Sequence, residues 1–243
     1  EYSDVPMKSD ETALKHYIKQ MRVHVLEPMQ EHLNVDCSDA VLRKAVAEHN
    51  EVCRLITQIG EFRKEENPRI SGYEFHVFCA ASYCAPKDLI LQPLRETLEE
   101  LKSRVPDEKK QYRIRTVLVG SEIDDPDVIK LIEDSGALVV ADRYCFGSFP
   151  GRQEIVLTQE EDALTQICRQ YLDWGQCPRY MDTAKITQRR AYVDTLAREF
   201  HADGLIYQQI KFCDYWGYER AAANHLMNEE YGYPVLSIDR PYV

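Results

Sequence analysis

The sequence lacks any long hydrophobic run. None of its apolar stretches approaches the roughly 20 residues that a helix needs to cross a bilayer, so no membrane span is predicted. The first residues, EYSDVPM, have neither the basic segment nor the apolar core of a signal peptide. We therefore predict a cytoplasmic protein, in which the eight cysteines are thiols, catalytic groups, or metal or cluster ligands rather than disulfides.

Positive charge is also scarce. The chain has 30 Lys and Arg against 41 Asp and Glu, a net charge of −11. A surface with this balance does not attract a phosphate backbone, so nucleic acid is excluded as an expected partner. The glycine spacings of nucleotide-binding loops and the paired histidines of zinc enzymes are missing as well. Apolar residues nevertheless make up 44% of the chain, which is enough to form a core and excludes a disordered chain.

The first half of the chain has the apolar spacing of helices. We expect one helix from Thr12 that ends or kinks at Pro28, and a second from the N-cap Ser38 to about Lys64. Residues 70–86 fit either a short helix or an irregular segment leading into a helix over 87–103. Residues 1–106 are therefore predicted to be a mainly helical linking region, and the polar stretch that follows Val105 is its boundary.

The second half alternates short buried-strand runs with helical segments, the arrangement of an α/β domain. We predict that residues 111–243 form a mostly parallel, Rossmann- or flavodoxin-like sheet with flanking helices. The predicted strands cover residues 113–119, 136–141, 204–208 and 234–238.

Ligands of parallel sheets gather beyond the carboxyl ends of the strands. The acidic residues after the first strand are best explained as caps of the next helix. The loop over residues 142–151, after the second strand, contains two glycines, a proline and several aromatic residues. It fits either a well-packed turn or the wall of a substrate or cofactor pocket. We favour the wall, with Asp142, Arg143 and Cys145 as pocket candidates, and with Lys211, after the third strand, as a fourth.

Cys213 follows the third strand and directly precedes a helix. A thiolate at a helix N-terminus is stabilised by the helix dipole, which lowers the thiol pKa, and the neighbouring Lys211 should add to this effect. Such a cysteine suits a metal-ligating or redox role. The alternative is a buried thiol that closes the strand–helix turn.

The remaining cysteines do not form a recognisable ligand set. Four residues separate Cys79 from Cys84, and eight separate Cys168 from Cys177, which is not a zinc spacing. We interpret Cys79, Cys84 and Cys168 as buried thiols. Cys177 begins a loop, and its role stays open.

Three segments taken together resemble the 2-hydroxyacyl-CoA dehydratase and benzoyl-CoA reductase family. They are VGSEIDD (residues 119–125), EDSGALVVADRYCFGS (133–148) and KFCD (211–214), the last followed by YPVLSID (233–239). EHN at 48–50 and PRISG at 68–72 fit the same family, so the resemblance covers nearly the whole chain. The loop that begins at Asp142 leans toward the benzoyl-CoA reductase subunits.

The resemblance implies an oxygen-sensitive, cytoplasmic iron–sulfur subunit that works with a homologous second subunit on acyl-CoA thioesters. It implies a [4Fe-4S] cluster and a separate activator that hydrolyses ATP and supplies low-potential electrons. Lys211-Phe212-Cys213-Asp214 matches a cluster-ligand position, so Cys213 is expected to bind iron. The family's other two ligand cysteines belong to an upstream domain with no counterpart in these residues, so we expect these 243 residues alone to hold no stable cluster.

Two alternative functions stay open at this point. A double-cubane-type relative would carry clusters but reduce other small molecules. A structural or activating subunit would keep the fold without the chemistry. The sequence does not decide between reduction of benzoyl-CoA and dehydration of a 2-hydroxyacyl-CoA.

Overall fold

The computed structural model describes residues 5–106, 108, 114–148, 153–179 and 182–241. The described chain is helical up to residue 103 and alternates strands with helices after it. The helices are α1 (Glu11–Met21), α2 (Glu27–Leu33), α3 (Asp39–Glu61), α4 (Gly72–Cys84), α5 (Lys87–Ser103), α6 (Pro126–Asp134), α7 (Ala163–Trp174), α8 (Thr183–Glu199) and α9 (Asp214–Glu229); the strands are β1 (Ile114–Gly120), β2 (Ala137–Tyr144), β3 (Gly204–Ile210) and β4 (Val235–Arg240). None of the described helices combines the length and the apolar character that crossing a membrane requires.

The sequence predicted that the first helix ends or kinks at Pro28, and the first of these alternatives is wrong because the chain stays helical beyond this residue. A π-helical stretch, Arg22–Leu26, joins α1 to α2, and the chain stays helical to Leu33. Pro28 lies in the first turn of α2, where a missing N–H costs little because first-turn donors have no partner within their own helix. The wider π turn directly before it accommodates the proline, so the segment is remodelled rather than broken.

The segment over 70–86, left open by the sequence, contains the helix α4. Its N-terminus is fixed by a capping box, in which Ser71 Oγ accepts the N–H of Glu74 and the Glu74 carboxylate accepts the N–H of Ser71. The amphipathic signal is weak here because α4 packs on two sides, against α3 and α5 and against α6 and β2. Periodicity alone could not separate such a helix from an irregular segment.

The described strands form one parallel sheet in the order β2-β1-β3-β4, which confirms the predicted architecture. The chain leaves β1 to form β2 on one side of it and returns to form β3 on the other. The gap between β1 and β3 is therefore the topological switch point, beyond whose carboxyl ends open sheets of this kind bind ligands.

Helices cover both faces of the sheet. On one face, which we call the α8–α9 face, Val117 and Val119 of β1 join side chains of α8 and α9 in the largest core cluster. On the other, which we call the α4–α6 face, Leu118 of β1 packs with residues of α6 and with Tyr73 of α4.

The helical region is anchored to the sheet by partly buried polar contacts. The Glu133 carboxylate accepts the N–H groups of Gly72 and Tyr73 at the start of α4, at 2.8 and 3.2 Å. Arg115 on β1 donates to the carbonyls of Arg63 and Glu65 after α3. The predicted boundary after Val105 falls largely outside the described residues, and the two-part division stays a prediction.

Candidate strand-end site

The carboxyl ends of three strands meet beside Gly120. This glycine is aligned with Tyr144 of β2 on one side and with Gln208 of β3 on the other. Its φ is 149°, and a Cβ built there would lie 1.9 Å from the Gln208 carbonyl oxygen. Only glycine therefore lets β1 and β3 pair this closely at their ends. The segments that carry Cys145 and Cys213 leave the sheet on either side of this point.

A bulge in β2 sets which side chains face which side of the sheet. Thr116 pairs with Val139, but the next residue, Val117, pairs with Ala141, so β2 carries one extra residue. Both Val140 and Ala141 consequently belong to the core of the α8–α9 face. After these two residues the side chains of β2 alternate between the faces again. The extra residue moves each later side chain to the face opposite the one it would otherwise occupy.

The predicted loop candidates therefore divide between the two faces. Asp142 lies on the α4–α6 face, where it is buried and forms an ion pair with the buried Arg63 at 2.9 Å. Its second oxygen accepts the N–H of Ser148 at 2.5 Å. Asp142 thus holds the turn after β2 and ties it to the helical region, as the well-packed turn interpretation expects. A role for Asp142 in a substrate pocket stays a prediction, and residues 149–151 of this loop lie outside the described residues.

Arg143 lies on the α8–α9 face and is 1% exposed. Its guanidinium donates to the Gln176 carbonyl at 2.7 Å and stands 5.1 Å from the centre of the Trp216 ring. Burial lowers its pKa to about 10, while the ionised thiols of Cys145 and Cys177 act in the opposite direction. A cation in this position favours the thiolate of Cys145 over its thiol.

Cys213 caps the N-terminus of α9, as the sequence predicted. The expected direction of its pKa was wrong: burial raises the pKa of the half-buried thiol, although the backbone N–H of Trp216 opposes that effect. Lys211 is exposed, and its charge is accordingly screened by solvent. The helix N-terminus stabilises the thiolate, but desolvation outweighs it in the protein without a bound cation.

Cys145 and Cys213 pack against the same core cluster of the α8–α9 face, and the charge of an ionised Cys177 would act on both. Burial raises the pKa of Cys145 to about 11, and ionisation of either of the other two thiols would raise it further. Ionisation of Cys177 likewise raises the pKa of Cys213. These thiols come from three different connections, after β2, after α7 and after β3. Only the folded sheet places their charges within reach of one another.

Trp216 lies between two of these thiols. Its backbone N–H favours the thiolate of Cys213, and its indole N–H favours that of Cys145. The side chain is 1% exposed, and Nε1 makes no hydrogen bond of conventional geometry among the described residues. A buried donor in this state costs about 1–3 kcal/mol unless something accepts from it.

An ion-pair cluster fixes the elements around the thiols. Glu219 of α9 accepts from Arg189 at 2.7 Å and from Arg190 at 3.1 Å. Arg189 also donates to the Gln176 carbonyl at 3.3 Å. Because Gln176 directly precedes Cys177 and also accepts from Arg143, these contacts connect the Cys177 segment to α8, α9 and β2.

The other cysteine predictions have mixed outcomes. Cys79 and Cys168 are buried, as predicted, but Cys84 is exposed at the end of α4, which corrects its interpretation as a buried thiol. Cys84 is followed by Ala85-Pro86 in the turn between α4 and α5, where the chain leaves the core. Sequence reasoning also missed a close contact on α3, where Cys53 Sγ lies 3.3 Å from His49 Nε2. The i,i+4 spacing of this pair was the available signal.

Two surface grooves lie away from this edge, in the helical region. The larger, of about 490 Å³, lies between α3 and α5, and the smaller, of about 360 Å³, lies beside Cys53 and Arg54. Neither is lined by a strand-end residue. We place the candidate site at the sheet edge, because Cys145, Cys213 and the buried cations are there.

The described residues contain no group of three or more His, Cys, Asp or Glu side chains arranged to hold a single metal ion. A four-iron cluster is a larger object, held by cysteine thiolates bonded to different irons. The donors gathered here are thiols, which suit iron–sulfur clusters. The thiol chemistry suits a cluster, but the described residues by themselves do not present a complete set of ligands for one.

The protein is a parallel α/β protein with cysteines near the topological switch point of its sheet. Comparison with known proteins identifies its family. The family model of the 2-hydroxyglutaryl-CoA dehydratase D-component matches residues 1–243. The chain belongs to this family, which confirms the resemblance found in the sequence.

One curated relative is the (R)-phenyllactyl-CoA dehydratase beta subunit of Clostridium sporogenes. It is 23% identical over 236 residues, which are 97% of this chain and 58% of that protein. The chain therefore spans a little over half the length of this relative.

Proposed function

We propose that this chain is part of an iron–sulfur subunit of a radical 2-hydroxyacyl-CoA dehydratase. The family match over residues 1–243 supports this function. The observation that carries it is the position of Cys213, at the carboxyl end of β3, beside the switch point and at the N-terminus of α9. Fold and chemistry thus favour a cluster at the same edge.

In this proposal Cys213 binds one iron of a [4Fe-4S] cluster. When bound, the cluster supplies a single electron to the thioester carbonyl of the substrate. The chain holds its thiolate at a helix N-terminus and packs the half-buried Cys213 against a core cluster that contains the buried Trp216 and Tyr207. On that side the core keeps water away from a reactive one-electron species.

Two further partners belong to the proposal. The relative is named a beta subunit, which supports a homologous second subunit in the assembly. A separate iron–sulfur activator that hydrolyses ATP would supply the electrons, because transfer to a thioester carbonyl needs a very negative potential. The substrate class is an acyl-CoA, and the relative's name favours a 2-hydroxyacyl thioester over benzoyl-CoA.

The test is Cys213→Ser in the full-length subunit, purified without oxygen and assembled with its second subunit and activator. Iron, sulfide and turnover are measured beside Cys84→Ser, a matched change at an exposed thiol. We expect Cys213→Ser to lose most of its cluster and at least 100-fold in turnover while the thermal midpoint stays near wild type. Full iron content and full turnover in this variant would refute the ligand assignment.

The substrate is tested on the wild-type assembly. We expect ATP-dependent conversion of (R)-2-hydroxyacyl-CoA thioesters to the unsaturated thioesters and no reduction of benzoyl-CoA. Reduction of benzoyl-CoA without dehydration would instead agree with the similarity of the loop that begins at Asp142 to benzoyl-CoA reductase subunits. Sustained turnover of either substrate without ATP would refute the activator.

A further inference from the structure

We propose that three exposed aromatic side chains beside Cys213, those of Phe212, Tyr215 and Tyr218, form the surface on which the electron-donating activator docks. We call this surface the aromatic tip. The inference rests on the proposed function for the identity of the partner. The chemistry of the tip describes the partner's side of the contact, which is an apolar centre surrounded by lysine or arginine side chains.

Phe212 occupies a backbone position that is costly for its side chain. The N–H of Cys213 donates to the carbonyl of Ile210 at 3.1 Å, which closes a four-residue turn with Phe212 in third place. The φ of Phe212 is 72°, and glycine is the usual residue at this place of a turn when φ is positive. The ring gains no burial in return, because the residue is 95% exposed. A strained backbone that presents a bulky apolar ring to water indicates a contact with another molecule.

Helix α9 places two tyrosines next to this turn. Trp216 belongs to the buried stripe of the helix, whereas Tyr215 and Tyr218 are exposed. These two are three residues apart and are therefore neighbours on the outer surface of the helix. A Cβ on Gly217 would lie 2.8 Å from Nε2 of Gln209, so the glycine lets α9 lie close against the end of β3. This close packing fixes the direction in which the two tyrosine rings point.

The charges near the tip are mostly negative. Besides burial, which is the main cause, the carboxylates of Glu122 and Asp214 raise the pKa of the Cys213 thiol, so both lie close to it. Asp239 is exposed near the end of β4, and the connection itself contributes one exposed cation, Lys211. This balance attracts a cationic protein surface and repels the phosphates of an acyl-CoA.

The size of the tip suits a brief encounter rather than a permanent subunit contact. Aromatic side chains bury roughly 150–250 Å² each, so three of them make a contact of several hundred Å². Permanent interfaces bury about 2,000 Å² or more, and electron-transfer encounters are among the smallest. A donor must also approach its acceptor closely, and the tip borders the thiol that would bind the accepting cluster. One electron then leaves the reduced cluster of the activator and enters the cluster at Cys213, and no bond of the chain forms or breaks.

The test is the double variant Phe212→Ala with Tyr218→Ala in the full-length subunit, assembled with its second subunit. The control is Leu33→Ala with Leu131→Ala, which truncates two exposed apolar residues on α2 and α6. Binding of the purified activator to the assembly is measured directly, as is the activator concentration that half-saturates ATP-dependent cluster reduction. We expect both constants to rise about 10-fold in the tip variant, as truncation of two central aromatic contacts predicts, and to stay at wild-type values in the control. Iron content and reduction by titanium(III) citrate should not change in either.

Two further variants protect and extend the test. Phe212→Gly with Tyr218→Ala keeps a residue suited to the positive φ, so weaker activator binding in this variant cannot arise from a misfolded turn. Asp239→Lys reverses one charge near the tip. We expect it to weaken activator binding at low salt and to have less effect as salt rises, because salt screens exposed charges.

The outcomes separate the docking surface from the proposed function. Unchanged activator binding in both tip variants would refute the docking surface and leave the proposed function intact. Failure of the tip variants to assemble would make the tip a subunit interface, and a raised KM for the acyl-CoA with unchanged activator binding would make it a substrate contact; either result overturns the inference. If the wild-type assembly accepts no electrons from any activator, the inference fails together with the activator in the proposed function.

Discussion

At the carboxyl edge of the sheet, the two faces differ in how their buried charged groups are paired. On the α4–α6 face, Asp142 pairs with Arg63 at 2.9 Å, and Tyr144 Oη pairs with His76 Nδ1 at 2.7 Å. On the α8–α9 face, Arg189 and Arg190 pair with one carboxylate, that of Glu219, and the buried Arg143 lies beside Cys145 and Cys177. The first face pairs its buried charged group with an opposite charge, whereas the second places a buried cation beside thiols.

The difference shows where function can be located. A buried ion pair or hydrogen-bonded pair stabilises one arrangement and offers nothing to a ligand. Buried cations and an N–H donor next to titratable thiols favour an anion that the chain itself does not supply. This contrast supports placing the proposed cluster on the α8–α9 face and assigns Asp142 a packing role in its ion pair.

Removing the Asp142–Arg63 ion pair on the α4–α6 face should have the largest effect on stability. Arg63→Ala leaves the Asp142 carboxylate buried without its partner and removes the stacking of the guanidinium on Phe75, at 3.6 Å. We expect the free energy of unfolding to fall by about 3–5 kcal/mol in chemical denaturation.

The matched control removes both charges, as Arg63→Met with Asp142→Asn. The asparagine amide oxygen can still accept the N–H of Ser148, and the methionine fills much of the arginine volume. We expect the double variant to recover most of the loss. If Arg63→Ala alone is as stable as wild type, the Arg63–Asp142 ion pair does not stabilise the folded protein.

The buried His76, which pairs with Tyr144 on the α4–α6 face, should make the stability of the protein depend on pH. Burial lowers the pKa of His76, against the charge of Asp142, which raises it. The folded protein therefore binds fewer protons than the unfolded chain below pH 6.5, the ordinary value. Stability from this group is complete above that pH and is lost as the pH falls toward the lowered pKa, by up to about 1.4 kcal/mol per pH unit.

The measurement is the free energy of unfolding between pH 7.5 and 5, an interval of about 2.5 units that includes the ordinary histidine value. His76→Phe should flatten this dependence, whatever its own stability, whereas His225→Gln at an exposed position should not. An equal slope in wild type and His76→Phe would contradict the assignment.

The smallest effect concerns the connection that leads into the thiol site. Phe212 has a φ of 72° and is 95% exposed, so its backbone is strained without any burial of its ring. Phe212→Gly should relieve that strain and raise the free energy of unfolding by about 0.5–1 kcal/mol. Gly232→Ala is the opposite change, at φ 77° and with nothing near the added Cβ, and it should lower stability by a similar amount. No gain from Phe212→Gly would show that the α8–α9 face carries no strain in this connection.

Much of the fold followed from local patterns. The four buried-strand runs and the helices between them indicated a parallel sheet, because alternation of strands with amphipathic helices leaves few other ways to bury both. Helix α4 stayed ambiguous because it packs on two sides, and its capping box at Ser71 was missed in the sequence. Pro28 was misjudged because the π turn before it depends on packing that no local rule contains.

For the site, the sequence by itself determined one residue and the edge on which it lies. Cys213 stands between a predicted strand and a predicted helix, and the KFCD motif marks it. Cys145 was only a pocket candidate, and Cys177 had no assigned role, because residues far apart along the chain show no spacing rule until the sheet order is known.

The tertiary structure decided the rest. The bulge at Val140 and Ala141 adds one residue to β2, which turns Arg143 toward α9 and Asp142 toward the helical region. Side chains alternate with a period of two along a strand, so a single extra residue exchanges the two faces. A sequence shows which residues alternate, but the register between neighbouring strands fixes the face on which each of them lies.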